Sequence, residues 1–150
     1  KMEKSVTWQF DTLLRETFQL PEGKPGEYSP LVLAYLGDAI YDLIIRTLVV
    51  GDGNRQVKKL HKATSALVQA SAQSRMMEAI EGLLTEEEEG VYRRGRNAKS
   101  FSTAKNQSLK DYHRATGFEA LLGWLYLKQD WERLLELVKA GLDHEKGQNE

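Results

Sequence analysis

Apolar residues recur at helical spacing in several separate stretches of the chain, and nowhere do they alternate for the length a strand needs. A first amphipathic helix is predicted over residues 7–18, with Trp8, Leu13 and Leu14 among its apolar positions. Residues 20–26, LPEGKPG, read as a loop from their prolines and glycines. Ser29-Pro30 then offers an N-cap and a proline at the first helical position for a helix over 31–50, which Gly51-Asp52-Gly53 ends. Asn54 can cap a long helical stretch to about Leu84, broken near 70–74. Thr85-Glu-Glu-Glu88 matches a capping box and opens a short helix that gives out near Gly95. Residues 96–107, RNAKSFSTAKNQ, are polar, basic and aperiodic, and read as a loop. Ser108 starts a helix to about Lys128. Asp130 caps a last one carrying Trp131, Leu134, Leu135, Val138 and Leu142 at helical spacing, with a hydrophilic tail over 145–150 expected to fray. The pattern is that of an all-α helical bundle forming one domain over 1–150.

Two helices carry carboxylates among apolar neighbours. On a helical wheel, Leu33, Leu36, Ile40, Leu43 and Thr47 form one continuous stripe, and Asp38 points almost opposite, among Leu31, Ala34, Tyr41 and Ile45. A helix apolar nearly all round is covered on both sides, and in a domain of this size the second cover is expected to be another subunit. Gly37 thins the helix beside Asp38 for close backbone approach. In the second helix Phe118, Leu121 and Leu125 form the core stripe, while Glu119 shares the other side with Tyr112, Ala115, Thr116, Gly123 and Tyr126.

Composition narrows the classes. The chain has 150 residues, 41% hydrophobic and 29% charged, the balance of an ordinary globular domain rather than a disordered one. There is no cysteine, which excludes disulfides and thiolate metal sites and suits a reducing cytoplasm, the expected location. No apolar run is long enough to cross a bilayer, so no membrane partner is expected. Lys1-Met2-Glu3-Lys4 is not a signal peptide, and residues 1–4 read as tag-derived. The net charge of −1 rules out a global basic field, but charge is segregated. Arg93, Arg94, Arg96, Lys99, Lys105, Lys110 and Arg114 follow directly on the acidic run Glu86–Glu89.

Three chemistries remain in view. If Asp38 and Glu119 converge across the 81 positions between them, two carboxylates with no neutralising base make a hard-cation site, able to activate water and clamp a phosphate. The basic stretch Arg93, Arg94, Arg96, Asn97, Lys99 and Lys105 would then hold phosphates, and a duplex RNA would be read by shape more than sequence. A helical dimer that binds structured RNA without cutting it is the second reading. An all-α nucleotide pyrophosphohydrolase is the third, although the Glu86–Glu89 run at a helix start is explained by capping and dipole effects. His61, His113 and His144 are scattered, and no phosphate-loop or nucleophile-elbow motif occurs.

Tyr35-Leu-Gly-Asp-Ala-Ile40 resembles the core of the ribonuclease III signature, E-x-L-E-F-L-G-D-A-V, and Phe118-Glu-Ala-Leu-Leu-Gly-Trp-Leu-Tyr126 resembles that family's second motif, D-x-F-E-A-L-I-G-A-I-Y. With the R-R-G-R-N-A-K loop, the chain is similar to the Mini-ribonuclease III branch, which has the nuclease domain without a double-stranded-RNA-binding domain. The resemblance implies a homodimeric helical endonuclease in which Asp38 and Glu119 are catalytic and hold Mg²⁺, for which Mn²⁺ could substitute. It implies cleavage of double-stranded RNA to 5′-phosphate and 3′-hydroxyl ends, on the stem of a 23S ribosomal RNA precursor, and leaves room for a ribosomal-protein helper. Two family acids are missing: Ala34 stands four residues before Asp38 and Thr116 three before Glu119.

Overall fold

A computed structural model describes residues 2–99 and 108–149. Among these the expected all-α architecture is present: α1 (Met2–Thr17), α2 (Pro30–Gly51), α3 (Val57–Val68), α4 (Ala70–Ile80), α5 (Glu86–Asn97), α6 (Leu109–Leu127) and α7 (Trp131–Asn149). Short 3₁₀ turns lie at Pro25–Glu27 and Glu81–Leu83. No helix of the described residues is long and apolar enough to cross a membrane.

The helix starts follow local chemistry. The Ser29 hydroxyl accepts from the Val32 amide at 3.3 Å, with Pro30 at the first helical position. Thr85 and Glu88 form the reciprocal box: the Thr85 hydroxyl accepts from the Glu88 amide (3.1 Å) and the Glu88 carboxylate from the Thr85 amide (2.9 Å). Ser108 caps α6, accepting from the Asp111 amide at 3.0 Å, and Asp130 accepts from the Arg133 amide at 3.2 Å at the start of α7.

Several boundaries differ from the sequence pattern. Helix α1 begins at Met2 rather than near residue 7. The N-cap of α3 is Gln56 rather than Asn54, and no side chain bonds there. The long stretch breaks at Gln69, whose extended backbone (φ −66°, ψ 153°) ends α3 and starts α4. Helix α5 continues to Asn97, so Arg96 and Asn97 belong to a helix and not to a loop. Helix α7 runs to Asn149, and Glu145 is buried, with its carboxylate gripped by the Arg75 guanidinium at 2.9 and 3.1 Å.

Helix α6 is the centre of the bundle, with α2, α4, α5 and α7 packed around it. Phe118, Leu121, Leu122 and Leu125 are fully or almost fully buried, each contributing roughly 1.5–3 kcal/mol. The ring of Tyr41 meets Phe118 edge-to-face at 5.5 Å, and the Tyr41 hydroxyl donates to the Leu67 carbonyl at 2.7 Å.

The buried side of α2 is not the stripe the wheel selects. Ala34, Gly37, Tyr41 and Ile45 are buried beside Leu33 and Ile40, whereas Leu43 and Thr47 are exposed. The cause is main-chain proximity. A Cβ added to Gly37 would lie 1.8 Å from the Glu119 carbonyl oxygen, and one added to Gly123 would lie 2.0 Å from the Leu33 carbonyl oxygen. Ala34, Tyr41 and Ile45, on the side of α2 assigned to a second subunit, are therefore covered within the same chain, whereas Leu31 on that side is exposed. On the far side of α6 a similar contact pairs it with α5: a Cβ on Gly95 would lie 2.9 Å from the Gly117 Cα.

Candidate active site

The crossing of α2 and α6 brings together the two acids. Asp38 follows Gly37 on α2 and is exposed to solvent. Glu119, whose own carbonyl fills the space over Gly37, is half-buried and has its carboxyl within hydrogen-bonding reach of Asp38. Burial first, and then the negative charge of Asp38, push the Glu119 carboxyl up to about 8. No ion pair among the described residues involves either acid. Two like charges held together without a cation favour either a shared proton or a bound metal ion.

The positions where acids are missing are closed to that role. Ala34 is buried, one turn before Asp38. Thr116 is buried too, and its hydroxyl donates back to the Tyr112 carbonyl at 3.0 Å within α6. Among the described residues no group of three or more His, Cys, Asp or Glu gathers as a metal cage would. Two carboxylates completed by water and substrate oxygens still fit Mg²⁺, which keeps much of its hydration and takes few protein ligands.

The basic residues are distributed over the last turns of α5 and just beyond. Gly95 packs against Thr116, Gly117 and Ala120, the part of α6 that precedes and follows Glu119. Arg93, Arg94, Asn97 and Lys99 are exposed around that contact. Arg93 pairs with Glu89 at 3.2 Å, and the Arg96 guanidinium lies over the Tyr92 ring, 5.5 Å from its centre. Lys105 lies outside the described residues. Arg114 leaves the basic group, because its guanidinium is engaged by Glu78 (3.1 Å) and Glu81 (3.3 Å).

One residue at the site escaped sequence reasoning. Gln73, near the start of α4 and 2% exposed, donates from its amide nitrogen to Glu119 Oε2 at 3.4 Å. Glutamine in an amphipathic stretch reads as a surface residue, and only the tertiary fold turns it inward.

Known proteins resemble this chain over most of its length. The model of the ribonuclease III domain matches residues 31–130, a span that contains both carboxylates, Gln73 and the basic turns. The chain is 50% identical over 138 residues to Mini-ribonuclease 3 of Thermoanaerobacter sp. (strain X514), covering 92% of this chain and 94% of that one. It is 48% identical over 127 residues to Mini-ribonuclease 3 of Clostridium tetani, covering 83% and 84% respectively. The crystal structure of protein FN1578 from Fusobacterium nucleatum superposes with a TM-score of 0.72 at 33% identity, over 79% of this chain and 95% of that one.

Proposed function

The chain belongs to the ribonuclease III family, and from that premise we propose that this endoribonuclease cuts double-stranded RNA with Mg²⁺ held by Asp38 and Glu119. The observation that carries the reading is the meeting of these two acids at the α2–α6 crossing, with no ion pair to either among the described residues. When bound, the ion would polarise the scissile phosphate and make a water molecule acidic enough to attack it. Asp38, on the solvent side, is the acid that substrate reaches first. Glu119 is the half-buried acid, and it must give up its proton before it can act as a ligand. The cleavage consistent with this chemistry leaves 5′-phosphate and 3′-hydroxyl ends.

The shape of the site also supports a polymer substrate. A concavity of about 770 Å³ lined by residues including Asp11, Arg15 and Gln129 contains neither acid, whereas Asp38 stands on an open surface that a duplex can approach. Arg93, Arg94, Arg96, Asn97, Lys99 and Lys105 are proposed to hold the RNA through phosphates and 2′-hydroxyls. Leu31, Val32 and Tyr35, 39%, 49% and 83% exposed, line the turns of α2 that lead to Asp38. Their burial in a homodimer would set two sites against the two strands of one duplex. The natural substrate in this reading is the stem that joins the ends of a 23S ribosomal RNA precursor, as the resemblance of the two sequence motifs implies.

The test presents duplex RNA, single-stranded RNA, duplex DNA and nucleoside triphosphates to the protein with Mg²⁺ or EDTA, beside Asp38→Asn and Glu119→Gln. Cutting of duplex RNA alone, dependent on Mg²⁺ and lost in both variants, is the expected result. Binding without cleavage would replace the reading with an RNA scaffold, and triphosphate hydrolysis would replace it with a pyrophosphohydrolase.

A further inference from the structure

We propose that Gln73 is a positioning residue of this site, whose amide holds the Glu119 carboxylate in the orientation in which it meets Asp38. The inference rests on the reading of Asp38 and Glu119 as the metal-holding pair.

The break between α3 and α4 creates the arrangement. Where α3 ends, the Val68 carbonyl has no helical partner, and the Gln73 amide nitrogen donates to it at 2.8 Å. The same nitrogen donates to Glu119 Oε2 at 3.4 Å, on a helix 46 residues further along the chain. A carbonyl can only accept a hydrogen bond, so the nitrogen must face both partners and the amide cannot turn round. Its own oxygen, Oε1, is left buried without a partner.

A residue kept only to fill this space would not bury an orphan oxygen, since methionine has nearly the same shape without that cost. A residue kept only to cap α3 would need one hydrogen, whereas Gln73 commits both. The second reaches Glu119 at a site where the usual neighbours offer nothing. Ala34 has no polar atom, and the Thr116 hydroxyl is spent on Tyr112. With two protein carboxylates rather than four, the orientation of each decides more of the site's affinity for a cation, and groups that orient metal ligands typically govern 10–100-fold of affinity or activity.

Gln73→Met keeps length and volume and removes both donors. In the folded variant, kcat on a duplex RNA should fall about tenfold or more with KM little changed. Mn²⁺ binding to the RNA-free protein, followed by electron paramagnetic resonance, should weaken by a similar factor. A capping role alone would lower the melting temperature and leave kcat and Mn²⁺ affinity within about twofold of the parent, which overturns the proposal. The unmodified protein provides a second measurement that does not depend on a variant folding. The Gln73 side-chain NH₂ resonances should move on addition of Mg²⁺ along the same titration curve as the Glu119 backbone amide. Side-chain resonances that stay fixed while Glu119 moves overturn it too. Asp38→Asn and Glu119→Gln run in parallel. If both bind Mn²⁺ as the parent does, the metal-pair reading has failed and the Gln73 proposal falls with it. If both lose Mn²⁺ while a folded Gln73→Met keeps it, the Gln73 proposal alone fails.

Discussion

The carbonyl oxygen of Glu119 occupies the space in which any side chain at Gly37 would have to begin, 1.8 Å from the position of an added Cβ. Alanine is the better helix former by about 1 kcal/mol, so propensity alone would favour Gly37→Ala. Steric overlap with backbone decides the sign instead, because a carbonyl inside α6 cannot swing away like the end of a flexible side chain. The variant should be destabilised by about 2 kcal/mol or more, read as a lower urea midpoint with an unchanged slope. Cleavage should fall further than stability does, because the displacement separates Asp38 from Glu119. Gly51→Ala, where an added Cβ meets nothing within 4 Å, is the matched control and should be neutral or mildly stabilising.

The acid pair makes stability depend on pH in a definite direction, and the proposed metal binding with it. Glu119 titrates at 4.5 when unperturbed and at about 8 in the folded protein. Between those values the folded state keeps a proton that the unfolded state has released, so stability is greatest below the window and declines as pH rises through it. The metal-free protein should therefore melt at lower temperature near pH 8 than near pH 5, and Glu119→Gln should flatten that difference. In the proposed function Mg²⁺ would have to displace the same proton. At about pH 7 its binding should release up to about one proton, seen as a binding heat that varies with the ionisation enthalpy of the buffer.

Glu88 responds to pH in the opposite direction. Two hydrogen bonds from Arg133, both 2.8 Å, hold its carboxyl below the usual value of 4.5, helped by the bond from the Thr85 amide. The stabilisation is complete above that usual value and is lost as pH falls through the lower, folded one. Glu88→Gln should cost about 2 kcal/mol at neutral pH, because it leaves Arg133 without its buried partner and weakens the cap of α5. The gap between variant and parent should close in acid, and a gap that persists there would show that packing, not charge, dominates.

Replacing Arg93, Arg94 and Arg96 together by alanine should weaken duplex RNA binding and reduce the slope of log affinity against log salt by about 2 to 3. The fold should tolerate the change. The Arg93–Glu89 pair is exposed, and such pairs contribute roughly 0–1 kcal/mol. Filter binding across a salt series, beside circular dichroism, reads both quantities. An unchanged slope would remove α5 from the proposed RNA-holding surface.

Side chains that satisfy local backbone groups were legible in the sequence: Ser29, Thr85 with Glu88, and Ser108 cap the helices their spacing predicts. So was the stripe of Phe118, Leu121 and Leu125, because α6 is buried by ordinary hydrophobic side chains. The buried side of α2 was not legible from hydrophobicity. Its seat on α6 is formed by Gly37 against Gly123, whose contribution is the absence of bulk, and hydrophobic periodicity gives such positions no weight. Arg114 was misread for a related reason: its partners Glu78 and Glu81 lie on the α4 side of the bundle, 36 and 33 residues away. Glu145 and Gln73 are polar residues turned inward by partners distant in sequence, Arg75 and Glu119, and local pattern carries no record of such pairings.

The glycine contacts at the α2–α6 crossing also act on assembly of the bundle. In any register that set a residue other than glycine in the place of Gly37, a Cβ would fall on the Glu119 carbonyl, where the spacing admits none. Most helix pairs tolerate neighbouring registers by repacking side chains, but main chain against main chain leaves nothing to repack. The crossing therefore works as a keyway with one setting. Any chain that completes this contact has already brought Asp38 and Glu119 together, before any ligand reaches them.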